Sequence, residues 1–414
     1  MNAEILSVGT ELLLGDIANT NARDLSEALS ELGINVFWHT AVGDNPERLT
    51  ACVEVARKRA DLIITTGGLG PTYDDLTKQT LAKAFGMEMY FDEEIAEGIR
   101  AWFEERRHIR MSENNLQQAY LPVGCTVLQN DWGTAPGCIF EKDGVHVVML
   151  PGPPAECIPL FRHRAAPYLR KLSGAGQILS HSLRIYGMGE STMEMILREQ
   201  MQAMTNPTLA PYAKQGEAML RVTARADTEE EAEQMIQPVL EELRGVLGDV
   251  IYGQDVASLE EAVNALLREK NKTLTAAESC TGGYLAKRMT DIPGASQHFL
   301  GGVTVYTNEA KVRLLGLDPE ELEKNGAVSE ETAAALAKRV REVLGSDLGV
   351  GITGVAGPDG DGVHPVGTVF IAVSDESGET VHKKEFGSGR ERTRHVAVTH
   401  ALDMVRRRLS GLSL

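Results

Sequence analysis

Ala277-Glu278-Ser279-Cys280-Thr281-Gly282-Gly283 sets two hydroxyls and a thiol beside a pair of glycines. A nucleophile next to backbone N–H donors for an oxyanion is the minimum equipment for acyl transfer. An apolar strand, Leu274 to Ala277, is predicted to run into a helix over about 283–289. That junction lifts a side chain towards the positively polarised start of a helix, and the glycines admit a ligand close to the main chain. A capped turn that merely starts a helix would look the same. Ser279 and Cys280 compete for the nucleophile's role, because neighbouring side chains leaving a strand face opposite ways. The thiol is the stronger nucleophile at neutral pH, and the serine needs a base. Tyr306, ending an apolar strand, and Lys311, five residues on, qualify if their pKa values are lowered. His298, His364, His382, His395 and His400 show no diagnostic spacing.

Two further stretches bear on chemistry. Thr353-Gly354-Val355-Ala356-Gly357-Pro358 follows another strand and allows close backbone approach, while Arg390 and Arg394 share a helical face that suits a phosphate or ordinary ion pairs with Glu391. In the first third, Thr65-Thr66-Gly67-Gly68-Leu69-Gly70-Pro71-Thr72-Tyr73-Asp74-Asp75 joins a glycine turn to hydroxyls and carboxylates after a buried strand. Backbone N–H groups there hold phosphate and a carboxylate recruits a divalent metal, with Asp44 as a second ligand. A helix cap with first-turn acids is the competing explanation.

The elements that must position these groups alternate. Strands at 5–8, 34–38 and 61–66 are separated by helices at 25–32 and from Pro46, capped by Asn45; this implies a largely parallel sheet with ligands beyond the strands' carboxyl ends. Asp143-Gly144 reads as a hairpin turn, and Pro151-Gly152-Pro153-Pro154 as a stop. Small residues at Ser173-Gly174-Ala175-Gly176 mark a boundary. A middle segment reads strand (181–186), helix (191–201), strand (219–226), helix (229–247). The last third carries strands at 273–277, 303–306, 347–352, 368–373 and 380–386, and helices at 259–269, 283–290, 309–315, 329–344 and 390–409. The expected fold class is therefore α/β, in three domains: 1–172, 177–252 (small and α+β) and 256–414. A net charge of -18 over 414 residues argues against nucleic acid as a partner. Five scattered cysteines, and no leader or long apolar run, lead us to expect a cytoplasmic chain with reduced thiols and no membrane partner.

Taken in order, Ala277–Gly283, Gly301-Gly302-Val303-Thr304-Val305-Tyr306-Thr307-Asn308 with Lys311, Gly351–Pro358 and the Arg390/Arg394 pair resemble the C-terminal domain of the CinA family (competence/damage-inducible protein A). The resemblance implies a cofactor-free nicotinamide-nucleotide amidase that converts nicotinamide mononucleotide to nicotinate mononucleotide and ammonia. It implies Ser279 as nucleophile, Tyr306 and Lys311 as its activating partners, and Glu278, Thr281, Gly282, Gly283, Thr353 and Gly354 around the substrate, with Arg390 on its phosphate. Similar domains often carry lysine where His364 precedes Pro365-Val366-Gly367, which weakens a charge-based role there.

The likeness extends to the first third through Gly9–Gly15, Val42–Pro46, Thr66–Asp75, Ser112–Asn115, Gly133–Gly137 and Leu150–Pro154. Here it implies a doubly wound, molybdopterin-binding-like domain that hydrolyses the diphosphate of ADP-ribose with a divalent Mg, Mn or Co ion. Asp44 and Asp75 would hold the metal, with Thr10, Glu11, Thr66, Gly67, Gly68, Asn115, Thr134, Pro151 and Gly152 around the substrate. The middle segment is similar to a KH-like module, although Gly187-Met188-Gly189-Glu190 lacks the G-x-x-G grip on nucleic acid, which leaves a spacer or oligomer contact. A homodimer is expected. Two alternatives stand beside the two-activity hydrolase: a ligand-sensing or partner-binding protein tied to competence or DNA repair, and a pterin-binding module without diphosphate hydrolysis.

Overall fold

Strand Leu62–Thr66 is buried along its whole length, as a β-branched run flanked on both faces should be. It lies inside a six-stranded sheet ordered Asn35–Val42, Asn2–Val8, Leu62–Thr66, Val145–Leu150, Gly137–Lys142, Thr126–Leu128. The first four strands run parallel, and Gly137–Lys142 is antiparallel to both of its neighbours. Alternation along Asn2–Val8 sends Ala3 and Ile5 into one core with Leu25, Leu29 and Phe161, and Leu6 and Val8 into the opposite core with Leu49 and Val53.

The computed structural model describes residues 1–108, 110–174, 176–214, 216–387 and 389–414. These form two compact units, one of Met1–Leu179 with Arg225–Ala232, the other of Ser180–Ala224 with Glu233–Leu414. The first contains the six-stranded sheet. Asn45 caps helix Pro46–Ala56 by accepting from Arg48 N at 3.0 Å. Asp143 and Gly144 both adopt positive φ (54° and 76°), the signature of the tight hairpin turn expected there. The proline cluster after Leu150 ends a strand and also opens helix Pro154–Leu160, because proline fits a first helical position whose N–H would be unpaired anyway. The short strands Met89–Phe91 and Tyr120–Pro122 pair with each other and were not legible, being only three residues long. Of the expected boundary at 173–176, Ala175 lies outside the described residues.

A four-stranded sheet, most of it in the second unit, runs Thr208–Lys214, Glu217–Ala226, Gln177–Ile185, Ile251–Gln254, accompanied by helices Glu190–Ala203 and Glu229–Leu247. Its outer strands escaped the sequence reading. A five-stranded sheet follows, ordered Phe299–Thr304, Leu274–Glu278, Leu348–Gly354, Thr368–Asp375, Gly378–Glu385, with the first three strands parallel. The strand expected at 303–306 is in fact Phe299–Thr304. It passes through Gly301 and Gly302, which reads as a turn in sequence. A Cβ on Gly302 would lie 2.7 Å from Ala286 Cβ, so the glycine is where helix Tyr284–Thr290 crosses the strand. Helix Arg390–Leu409 closes the unit, buried along most of its second half. No helix among the described residues is long and apolar enough to cross a membrane. The molecule is thus α/β, with the α+β sheet between its two larger sheets in chain order.

Candidate active site

A cleft of about 310 Å³ opens at the carboxyl ends of the parallel strands in the C-terminal sheet. Ser279, directly after strand Leu274–Glu278, is buried and its amide donates to Ile352 O at 2.9 Å. That bond fixes the side chain at the cleft floor and takes the serine's own N–H out of consideration as an oxyanion donor. Lys311 comes from helix Asn308–Leu315, capped by Thr307, whose hydroxyl accepts from Ala310 N at 3.2 Å. Its side chain is only 1% exposed, and Nζ lies 3.4 Å from Ser279 Oγ. Burial lowers the Lys311 pKa from 10.5, which raises the share of neutral amine. Cys280 also borders the cleft, yet packs into the hydrophobic core, and burial pushes its thiol up to about 12. A thiol that holds its proton at neutral pH is a poor nucleophile. The physical balance between the two neighbours therefore tilts to the serine.

Tyr306 stands on the rim, 55% exposed. Its hydroxyl accepts from Arg390 Nη2 at 3.0 Å, while Arg390 Nη1 donates to Gly357 O at 2.8 Å. The bond recorded for Tyr306 is thus to Arg390 and not to Ser279. Thr353 and Gly354 line the wall, with the Thr353 hydroxyl anchored on Ala327 O at 2.6 Å. Four residues expected around the substrate stand elsewhere. Glu278 is buried, and its carboxylate accepts from Leu285 N (3.0 Å) and Ala286 N (2.9 Å). The expectation that this helix start would offer oxyanion donors is therefore corrected, since Glu278 already occupies it. Thr281 is buried, and its carbonyl accepts from Arg394 Nη2 at 3.0 Å. Gly282 and Gly283, at φ 62° and 90°, carry the chain from strand to helix. None of these four lines the cleft. Arg394 braces the turn and pairs with Glu391 at 3.3 Å, so the two arginines do not act as one clamp. His364 Nε2 donates to Val328 O at 2.9 Å and its ring meets Phe370 edge-on, a structural placement. Asn308 and Asp359 also line the cleft and were not singled out.

The N-terminal unit has its own cleft of about 520 Å³, formed by the loops after its parallel strands. Asp44 Oδ2 accepts from Thr10 N (2.8 Å) and Thr10 Oγ1 (2.9 Å), and Asp75 Oδ2 from Thr72 N (2.8 Å) and Thr72 Oγ1 (2.6 Å). Both aspartates line the cleft, as do Glu11, Gly67, Gly68, Thr134, Pro151 and Gly152. Gly67 is held at φ 102°, and a Cβ there would lie 2.0 Å from Val8 O. Thr66 sits beneath, donating to Pro151 O at 3.0 Å and accepting from Asn21 at 2.8 Å. Asn115 is turned to Ser112, while its neighbours Asn114 and Gln117 brace the loop at Pro71 O (3.0 Å) and Gly70 O (3.0 Å). Thr10, Thr66 and Asn115 thus support the cleft from outside its lining. Among the described residues no group of three or more His, Cys, Asp or Glu converges as a metal cage. Two hard carboxylates still fit an Mg²⁺-like ion, which draws its remaining ligands from water and substrate phosphates. Glu156 was missed. Its signal was an acid at the third helical position after Pro153-Pro154.

Comparison with known proteins covers the whole chain. Three family models match: "Probable molybdopterin binding domain" over 4–171, "Damage-inducible protein CinA KH domain" over 180–253, and "CinA C-terminal domain" over 256–409. A CinA-like protein of Dictyoglomus thermophilum is 50% identical over 414 residues, spanning 100% of both chains. A CinA-like protein of Kosmotoga olearia is 47% identical over 413 residues, again 100% of both. A crystal structure of CinA from Thermoplasma acidophilum, described as of unknown function, is 32% identical and covers 40% of this chain and 98% of its own, with a TM-score of 0.38. Full-length identity of this order, with all three models in sequence, makes the chain a member of the CinA family.

Proposed function

We propose that the C-terminal cleft is a serine amidase acting on nicotinamide mononucleotide. The observation that carries this reading is the buried Lys311 amine 3.4 Å from Ser279 Oγ, with the Arg390 guanidinium lining the same cleft. Neutral Lys311 takes the proton of Ser279 as Oγ attacks the carboxamide carbon. Lys311 then returns that proton to the departing nitrogen, which leaves as ammonia, and a serine ester remains. Water, deprotonated by the same amine, cleaves the ester to the carboxylate and restores Ser279. Arg390 pairs with the substrate's phosphate, and Tyr306 orients the guanidinium through its hydroxyl. Anchoring the anionic end positions the carboxamide over the serine, which is where most of the rate gain from orientation arises.

The N-terminal cleft suits a diphosphate ester such as ADP-ribose. Past Gly67, whose N–H is bonded to Leu150 O, its glycine turn would present backbone N–H groups to phosphate, and Asp44 and Asp75 would hold a divalent Mg, Mn or Co ion that neutralises the diphosphate charge. The chain would then be a cytoplasmic hydrolase with two substrates, both nucleotides.

Ammonia release from nicotinamide mononucleotide tests the first activity. Ser279→Ala is expected to lose it by about 10³-fold or more, and Cys280→Ala to keep it within about threefold. Loss in Cys280→Ala alone would reassign the nucleophile. No ammonia from the folded wild type would remove the amidase reading and favour a ligand-binding role in competence or repair.

A further inference from the structure

One carboxylate of the N-terminal cleft, Glu156, is held unlike Asp44 and Asp75. Each aspartate accepts two hydrogen bonds on one oxygen from its threonine. Glu156 accepts one, from Asn130 Nδ2 to Oε2 at 2.7 Å. The Asn130 amide is fully committed around it: Nδ2 also donates to Ala135 O at 2.9 Å, and Oδ1 accepts from Trp132 N at 3.0 Å. Its orientation is thereby fixed, so the N–H aimed at Glu156 does not swing away. Gly133 completes the seat. A Cβ there would lie 1.9 Å from Glu156 Oε2, so only glycine admits the carboxylate in this position. The second oxygen, Oε1, accepts no hydrogen bond among the described residues. Burial raises the carboxyl pKa in spite of the Asn130 bond, which makes the carboxylate a better proton acceptor. Two fixed neighbours thus place a half-buried carboxylate with one uncommitted oxygen at a cleft of about 520 Å³.

The geometry points to Glu156 as the general base of this cleft, its Oε1 taking a proton from the water that attacks one phosphorus of a bound diphosphate. Asn130 and Gly133 are positioning residues that act through it. The water oxygen bonds to phosphorus, and the bridging P–O bond breaks with its electron pair on the departing phosphate. The proton on Glu156 then passes to that phosphate or to solvent. With ADP-ribose the products are AMP and ribose 5-phosphate. This assignment rests on the diphosphatase reading of the cleft. The aspartates keep their separate task of holding the cation.

The test is steady-state hydrolysis of ADP-ribose with Mn²⁺ by the full-length wild type, Glu156→Gln and Gly133→Ala, with ADP-ribose and Mn²⁺ affinities from calorimetry. Gln is isosteric and keeps an acceptor for Asn130, so its thermal melt should match the wild type. In Glu156→Gln, kcat should fall by about 10³-fold while KM and both affinities stay within about twofold. Gly133→Ala keeps the carboxylate but displaces it, and should lower kcat by about 10²-fold with the same affinities. A Glu156→Gln rate within about threefold of the wild type would overturn the assignment. So would a loss of Mn²⁺ affinity in step with the rate, which would make Glu156 a metal ligand instead. A folded wild type that binds Mn²⁺ and releases no AMP would remove the diphosphatase reading itself, and this assignment with it.

Discussion

In the C-terminal cleft the reacting groups rise from a buried floor, whereas in the N-terminal cleft the two aspartates are only half-buried and are tied to exposed threonines. Lys311 is nearly inaccessible and its pKa is lowered by that burial. Thr10 and Thr72, which hold Asp44 and Asp75, are both exposed, Thr10 at the start of helix Thr10–Leu14 and Thr72 in the loop after the glycine turn. The contrast follows from the chemistry proposed for each. A lysine can serve as a base only if its neutral form is populated, and desolvation achieves that. A carboxylate that must admit a hydrated cation gains nothing from burial, and open access suits an ion that keeps part of its water shell. Glu156 shares a feature of each: burial shifts its pKa towards the neutral form, as it does for Lys311, yet it lines the N-terminal cleft and is half-buried like the aspartates.

Three measurements would break or sharpen this contrast. The largest effect is expected at Lys311. Lys311→Met should reduce ammonia release by about 10³-fold. In the wild type the rate should rise with pH and level off above a midpoint lying below 10.5, because burial lowers the folded-state pKa. Stability moves the same way: the charged form is penalised in the folded state, and the penalty is relieved as pH rises from the folded-state pKa to the unfolded value of 10.5. A rate independent of pH up to 10.5 would show that Lys311 is not the base. Next comes Asp75→Asn, which should weaken Mn²⁺ binding by roughly 10²-fold and leave ammonia release unchanged. An equal loss in both activities would mean that the two clefts are not independent. The smallest effect is expected at Glu278→Ala. Leaving two amides of a helix start unpaired should cost about 2 kcal/mol in urea unfolding. If stability holds but ammonia release collapses, Glu278 acts on substrate after all.

Much of the fold could be read from local pattern. Several parallel strands of the two large sheets, Leu62–Thr66 and Leu348–Gly354 among them, are apolar runs ending in glycine-rich turns, and the hairpin at Asp143-Gly144 announces itself. Strands of three or four residues, such as Met89–Phe91 and Ile251–Gln254, carry too few alternations to be recognised. The strand expected at 303–306 begins earlier, at Phe299, and runs through Gly301 and Gly302, the second of which lets helix Tyr284–Thr290 lie close. Ser279, Lys311 and Arg390 were named in advance and line one cleft. Glu278, Gly282 and Gly283 belong to the same motif and build the turn that carries the serine.

By itself the amino-acid sequence determined the alternation of the main strands and helices, and which residue types stand at the ends of the parallel strands, because these depend on periodicity and spacing along the chain; its motifs carried the likeness to the family. Only the tertiary structure distinguished Ser279, beside the Lys311 amine, from Cys280, whose thiol it packs into a core assembled from distant strands and the closing helix. It also turned Arg390 towards Tyr306 and Arg394 towards Thr281, although the two lie one helical turn apart. And it gave Glu156 its seat from Asn130 and Gly133. Burial and hydrogen-bond partnership are set by residues far away in sequence, and those terms fix a group's pKa and its direction.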